Sequence, residues 1–275
     1  ILPALGKYFV DAIETQDIVQ WRDQLPGQPD TVNGYLAVLK NLFADMTEEL
    51  DLPRNPAARI KKVRKPHSEE SNRLTAAELR RYLEYFREAK PKHYPIALIL
   101  CQTGMRWGEA SALRVEDIDE GEMIIHVRRS HSYGVVDTTK TGPSRTGIIS
   151  DELRDVLRAH RVGLMKVNHP GYADGWLFQS ETGRLRRSDY FRRHHLQALQ
   201  AIGVERRVTI HGLRRTFNNI MRQVAPADVV RSMTGHVTEQ MTYHYSHVEI
   251  EEKRVACQGF LRLVHCQEVA EKVAV

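Results

Sequence analysis

Apolar residues recur at helical spacing along most of this chain, and one interval breaks the rhythm. A short helix capped by Thr15 is expected to run through Trp21 to Leu25, with a turn at Pro26-Gly27 after it. Val32, Tyr35, Leu36, Leu39, Leu42, Phe43 and Met46 then form a stripe with a period of about 3.6 residues, which predicts a longer amphipathic helix. Thr75-Ala-Ala-Glu78 has the form of a capping box, so a new helix and a new domain are expected to begin there, with the boundary near residues 66–74. Tyr94 to Cys101 is an apolar helical run closed by Thr103-Gly104, and Arg106-Trp-Gly-Glu109 opens the next helix.

From Val115 the period changes. Segments 122–127, 135–139 and 146–150 alternate as strands do and predict a small antiparallel sheet. Helical spacing returns in the amphipathic stretch Asp151 to Val162 and after Ser188, which is expected to cap a helix, while Trp176-Leu177-Phe178 packs the domain. Thr209 is a further N-cap, and Leu213, Phe217, Ile220 and Val224 repeat behind it until Pro226. The next helix runs from Pro226 to Gly235, a good residue for a left-handed stop. A last one begins near Thr238, where Met241, Tyr245 and Val248 share a side and Tyr243 is turned away. The fold class expected is mainly α with a small antiparallel β-sheet, in two domains, residues 1–66 and 67–275.

Composition narrows this picture. With 275 residues, 41% hydrophobic and 27% charged, the chain has enough apolar material for two cores and reads as soluble and globular. No apolar run approaches the roughly 20 residues of a membrane helix, and Ile1-Leu2-Pro3 lacks the charged start of an export signal, so a cytoplasmic location is expected. Cys101, Cys257 and Cys266 show no C-x-x-C pairing, which argues for a reducing compartment and against disulfides or structural zinc. The abrupt opening without Met is read as the start of a fragment of a longer protein.

A net charge of +5 is modest, and its distribution matters more than its size. Arg59, Lys61, Lys62, Arg64 and Lys65 follow Pro53-Arg54-Asn55-Pro56 in what looks like an interdomain strap. They are either a solvated linker or cations laid along a nucleic-acid backbone. Arg184, Arg186, Arg187, Arg192 and Arg193 surround Ser188, and a helix start inside such a cluster suits phosphate contact, with a merely solvated face as the other reading. The His160/His169 and His194-His195 pairs lack metal-ligand spacing.

The candidate chemistry lies mostly between Thr209 and Val248. His211 and Arg214 are three apart in the first turn of a helix, where backbone N–H groups and the dipole already favour an anion. His236 follows the stop at Gly235, and Tyr245 comes nine residues later. Arg106 and Glu109 are also three apart, which lets a carboxylate hold a guanidinium, although most such pairs are surface ion pairs of little energy. Lys140 sits at the shoulder of the Gly142-Pro143 turn. Two histidines, arginines and a tyrosine make a set suited to a phosphodiester attacked by a phenolate.

The order H-x-x-R, then G-H, then Tyr nine residues on resembles the tyrosine recombinase (phage integrase) family. T-G-M-R-W-G-E resembles its T-G-[hydrophobic]-R-x-G-E segment, and K-T-G-P-S-R resembles its hairpin K-T-x-x-S-R, although Gly147 to Ser150 departs from the usual Val-Pro ending. The opening P-A-L-G, I-E-T-Q-D-I and T-V-N-G-Y-L-A-V-L-K segments look like the family's helical core-binding (SAM-like) domain without its first helix.

The resemblance implies an α+β catalytic domain in which Arg106, Lys140, His211, Arg214, His236 and Tyr245 act, supported by Glu109. Arg106 and Arg214 would bind the non-bridging oxygens, His211 would accept a proton, His236 would hydrogen-bond the phosphate and Lys140 would protonate the departing 5′-oxygen. No cofactor, metal or ATP is implied. The implied partners are double-stranded DNA, further copies of the chain in a tetramer on synapsed DNA, and accessory DNA-bending proteins. The apolar run Phe260 to Val264 is expected to help that assembly, and the setting would be the nucleoid of a bacterial or phage-infected cell. Two other readings stay open: a relaxing enzyme like the type IB topoisomerases, and a DNA-binding regulator that does not cleave.

Overall fold

The computed structural model describes residues 1–64, 72–138 and 145–235. Contacts divide the chain into two units, Ile1–Glu69 and Glu70–Val275, each with its own core. The architecture is mainly helical with small antiparallel sheets.

In the N-terminal unit, α1 (Leu2–Leu5) and α2 (Thr15–Gln24) precede the long α3 (Pro29–Glu49). The N-cap of α2 is Glu14 rather than Thr15; the Glu14 N–H donates to Asp17 at 2.9 Å, and the Thr15 hydroxyl is spent on the Pro56 carbonyl at 2.8 Å. The apolar stripe of α3 buries Val32, Leu36, Leu39 and Phe43, whereas Tyr35 and Leu42 remain exposed at its edges. The expected strap is partly core: Ala57 and Ile60 are buried, and Lys40 donates to the carbonyls of Ala58 and Ile60. Proline and charge density hid that anchoring, because it depends on small apolar residues set between cations.

The second unit is built around α5 (Tyr94–Thr103), whose residues from Tyr94 to Cys101 are all buried. Around it pack α4 (Ala76–Ala89), α7 (Asp151–Lys166) and α9 (Ile210–Met221). The Thr75/Glu78 capping box at the start of α4 is present. The short α6 (Trp107–Ser111) follows α5, α8 (Ser188–Ala201) follows α7, and α10 (Ala227–Thr234) follows α9. Ser188 is the first helical residue of α8, with Arg187 at the N-cap. Val224 lies beyond the end of α9 and is 78% exposed, so its place in the periodic series was a coincidence of spacing.

The described strands form two sheets. β1 (Ile118–Asp119), β2 (Ile124–Val127) and β5 (Arg145–Ile148) make an antiparallel sheet in the order β1-β2-β5, with Ile125 opposite Gly147 and Val127 opposite Arg145. β3 (Arg129–Ser132) and β4 (Val135–Thr138) form a separate hairpin. The sequence pattern missed β3 because Arg-Ser-His-Ser offers no apolar alternation.

Gly104, just past the end of α5, decides how closely α9 approaches. Its backbone is left-handed, at φ 62°, and a Cβ there would stand 2.4 Å from the Phe217 ring. Gly104→Ala should therefore destabilise the protein by roughly 2–4 kcal/mol, from left-handed strain plus overpacking. Urea unfolding measures it, and a loss below about 1 kcal/mol would mean that the two helices separate with ease.

Candidate active site

The site grows from two helix starts and one buried carboxylate. Arg106 is the N-cap of α6, and its N–H donates to Glu109 Oε2 at 2.7 Å while its Nη1 donates to Glu109 Oε1 at 3.0 Å. Glu109 is 2% exposed. A second guanidinium, which the sequence reading did not single out, grips the same carboxylate: Arg145 donates from Nη1 to Oε1 at 3.0 Å and from Nη2 to Oε2 at 2.6 Å. Its Nε donates to the Met233 carbonyl, in the last turn of α10, at 3.1 Å. Burial alone would raise the Glu109 pKa, but the hydrogen bonds and charge of Arg145, joined by those of Arg106, outweigh it and hold the pKa at about 2. Arg145 is the last residue of the K-T-x-x-S-R segment, and that motif is the signal in the sequence that could have found it.

Arg214 is 1% exposed on α9. It donates from Nη1 to the Gly104 carbonyl at 2.8 Å and from Nη2 to the Thr234 carbonyl. These carbonyls stand at the C-terminal ends of α5 and α10, where helix dipoles favour a cation. Arg214 is thereby tied to the loop that leads into Arg106.

Thr209 caps α9 as expected: Gly212 N donates to its hydroxyl at 3.1 Å, and its own N–H donates to Asn72 at 2.8 Å. The first turn thus placed carries His211, which is partly open to solvent. Burial first, then the charges of Arg214, Arg215 and Arg106, push its pKa down to about 4. Directly before Thr209, His195 is buried and lies 2.8 Å from the Tyr82 hydroxyl through Nδ1 and 2.9 Å from the Val208 carbonyl through Nε2. A carbonyl only accepts, so Nε2 carries the proton and Nδ1 accepts from Tyr82. The pair braces the approach to α9 and leaves neither ring nitrogen for a metal.

A cleft of about 510 Å³ is lined by Arg106 and His211 together with Ser188, Arg192 and Arg207. Arg192 of the expected basic cluster is therefore in the site, and Arg207 joins it unforeseen. Arg184, Arg187 and Arg193 are exposed. Arg186 is absorbed by the fold, donating to the Gln179 carbonyl at 2.8 Å and lying over the Tyr190 ring. Arg59, Lys61, Lys62 and Arg64 are exposed in the N-terminal unit. Lys65, Lys140, His236, Tyr243, Tyr245 and the run Phe260 to Val264 lie outside the described residues. A hollow of about 420 Å³, walled by aromatic and histidine rings, shares only Trp107 with the cleft and contains none of the candidate catalytic groups. Among the described residues, no group of three or more His, Cys, Asp or Glu is placed to hold a metal, and no helix is long and apolar enough to cross a membrane.

An imidazole with a pKa of about 4 is neutral at pH 7. An NMR titration of the DNA-free protein should place the His211 midpoint near 4, and Arg106→Gln should move it upward. The unfolded chain takes up this proton near 6.5 and the folded one near 4, so stability falls as pH drops between those values. A His211 midpoint that stays near 6.5 would contradict the arrangement described.

A model of the phage integrase family matches residues 72–252. The shufflon-specific DNA recombinase of Escherichia coli is 30% identical over 256 residues, covering 87% of this chain and 59% of that protein. The integrase of Staphylococcus phage L54a is 27% identical over 176 residues, covering 59% of this chain and 50% of that protein. The chain thus spans between 50% and 59% of the length of these relatives. Among solved structures, the Tn1549 transposon integrase in complex with transposon right end DNA is similar with a TM-score of 0.77 at 19% identity, over 94% of this chain and 88% of that one. The XerH site-specific recombinase bound to palindromic difH substrate, in a post-cleavage complex, gives 0.73 at 15% identity, over 93% of this chain and 74% of that one. At such identities the structural likeness bears on the fold, whereas the family model spans most of the chain: the protein belongs to the phage integrase family, the tyrosine recombinases.

Proposed function

We propose that the protein is a site-specific DNA recombinase that cleaves and rejoins strands through a covalent 3′-phosphotyrosine, moving a phage or other mobile element into or out of a host sequence. The observation that carries this reading is the tethering of Arg106 and Arg214 to one loop, beside a neutral histidine at a helix start. Arg106, Arg145 and Arg214 carry three positive charges against the one of Glu109, which leaves a surplus of two. A phosphodiester is a monoanion and its pentavalent transition state approaches a dianion, so the surplus favours the transition state over the bound substrate.

A phenol with a pKa of about 10 needs help to attack phosphorus at neutral pH. In this reading Tyr245 attacks, its proton passes to His211, and the phosphorus–oxygen bond to the 5′-oxygen breaks. Lys140 supplies the proton that turns this oxygen into a free hydroxyl, and His236 hydrogen-bonds the phosphate. His211 is a weak base in the free protein, but a bound phosphate places a negative charge beside it and raises its basicity when it is needed. The retained phosphoester lets another 5′-hydroxyl attack the phosphotyrosine, so strands exchange without ATP. The basic residues Arg59, Lys61, Lys62, Arg64, Lys65, Arg184, Arg187, Arg192 and Arg193 would contact duplex DNA, and a tetramer on two synapsed sites would complete the exchange. The similarity to an integrase and a recombinase whose structures contain DNA supports the choice of substrate.

Nicked duplexes made from DNA that flanks the coding sequence should trap a covalent protein–DNA adduct. Tyr245→Phe should bind these duplexes and form no adduct, while Tyr243→Phe should still form it. The reverse result would move the nucleophile to Tyr243, and no adduct on any flanking duplex would favour a regulator that binds without cleaving. A substrate with sulfur in place of the bridging 5′-oxygen leaves as a thiolate and needs no proton. It should restore cleavage to Lys140→Ala but not to Arg106→Ala, whose lost contact is with non-bridging oxygens. Rescue of both or of neither would take the acid role from Lys140.

A further inference from the structure

We propose that Arg145 is a positioning residue for cleavage, holding the Arg106 end of α6 and the closing turn of α10 in one fixed relation. The inference rests on the recombinase reading above and adds to it a residue that never touches DNA.

The geometry carries the argument. All three kinds of guanidinium nitrogen in Arg145 are used, two on the Glu109 carboxylate and one on the Met233 carbonyl. Gripped from both sides of its fork, the carboxylate plane has little freedom, and its two oxygens present fixed acceptors to the Arg106 N–H and Nη1. The direction of the Arg106 side chain is thus set through Glu109 by a residue on β5. The two arginines divide the work by exposure: the Arg145 side chain is 10% exposed, whereas that of Arg106 is 29% exposed and lines the cleft. Arg145 neutralises the buried carboxylate, so the charge of Arg106 is left for an external anion.

The other end of the contact points the same way. Gly235 is left-handed at φ 66°, and a Cβ there would lie 2.9 Å from Arg145 Cδ. The turn that leads to His236 is therefore fitted against the Arg145 stem. Along the sequence Arg145 is five residues after Lys140. One side chain joins the R-x-G-E helix, the turn before the second histidine and the strand that follows the lysine segment. Lysine cannot replace it, because an ammonium is a point donor that cannot hold a carboxylate in a fork and a carbonyl at a third angle.

The test compares wild type, Arg145→Lys and Arg145→Gln in single-turnover cleavage of the nicked flanking duplex, with DNA affinity measured separately and the rate followed from pH 5 to 9. Misplacement of about 1 Å is enough for a loss on the order of 100-fold in the cleavage step. Both variants should show a loss of that order while DNA affinity stays within about threefold, since no DNA contact is removed. Arg145→Gln should also shift the acid limb of its rate to higher pH, because Glu109 loses the partner that keeps it ionised, and Arg145→Lys should shift it less. A purely structural role would lower the amount of folded protein without moving that limb. Folded variants that cleave like wild type, or that lose affinity and cleavage together, overturn the proposal. Failure of both variants to fold also overturns it, because Arg145 would then serve stability alone. If wild type itself forms no adduct, the recombinase reading fails instead.

Discussion

A single buried carboxylate, shared by two guanidinium groups, is the constraint on which the site depends. Taking Glu109 out of water would cost several kcal/mol if it stood alone. Four donors aim at its two oxygens, two from Arg106 and two from Arg145, so both are satisfied and the charge is more than balanced. The arrangement is brittle for the same reason: loss of one partner from a buried pair typically costs about 3–5 kcal/mol. It also explains how α6, only five residues long, keeps a defined direction. A helix of that length has no independent stability, and its N-terminus is fixed by bonds from outside.

Arg214 presents the opposite problem, a buried cation, which two backbone carbonyls help to hold. Its described partners are the carbonyls of Gly104 and Thr234, groups left over where α5 and α10 end. Helix ends must satisfy such carbonyls somehow, and here the same bonds hold the arginine and finish two helices. The cost is strict backbone geometry. Both helices stop at glycines with positive φ, Gly104 against Phe217 and Gly235 against Arg145. The described bonds of the two arginines therefore differ: those of Arg214 go to main-chain carbonyls, and those of Arg106 go to a side chain that another side chain holds.

The sequence announced features whose causes are local. The capping box at Thr75, the N-cap at Thr209, the wholly apolar α5 and the stop at Gly235 each depend on residues within one or two turns, and each was visible as spacing. The Arg106–Glu109 pair was visible for the same reason, being i and i+3 on one helix start. What stayed hidden is nonlocal. The bridge from Arg145 to Glu109 spans 36 residues and that from Arg145 to Met233 spans 88, and no periodicity reports a partner at such distances. β3 was missed because its burial comes from its contact with α6 rather than from apolar residues of its own. The converse error, counting Val224 into the α9 stripe, has the same origin: spacing says which residues could share a face, and the rest of the fold decides where the helix ends.

The depressed pKa of His211 fits the same electrostatics. Burial of the ring comes first, and the positive charges of Arg214, Arg215 and Arg106 add to the cost of a proton, so the free protein keeps its histidine neutral. In the proposed reaction an arriving phosphate would cancel part of that charge and would make the imidazole a better base at the moment a phenol must be deprotonated. On that proposal binding and activation would be one event, because the charges that would hold the anion are, with burial, what suppresses the base. A site with fewer arginines would have a more basic histidine at rest and less power to hold a transition state. One with more, and no Glu109 to absorb the excess, would repel its own guanidinium groups apart before any DNA arrived.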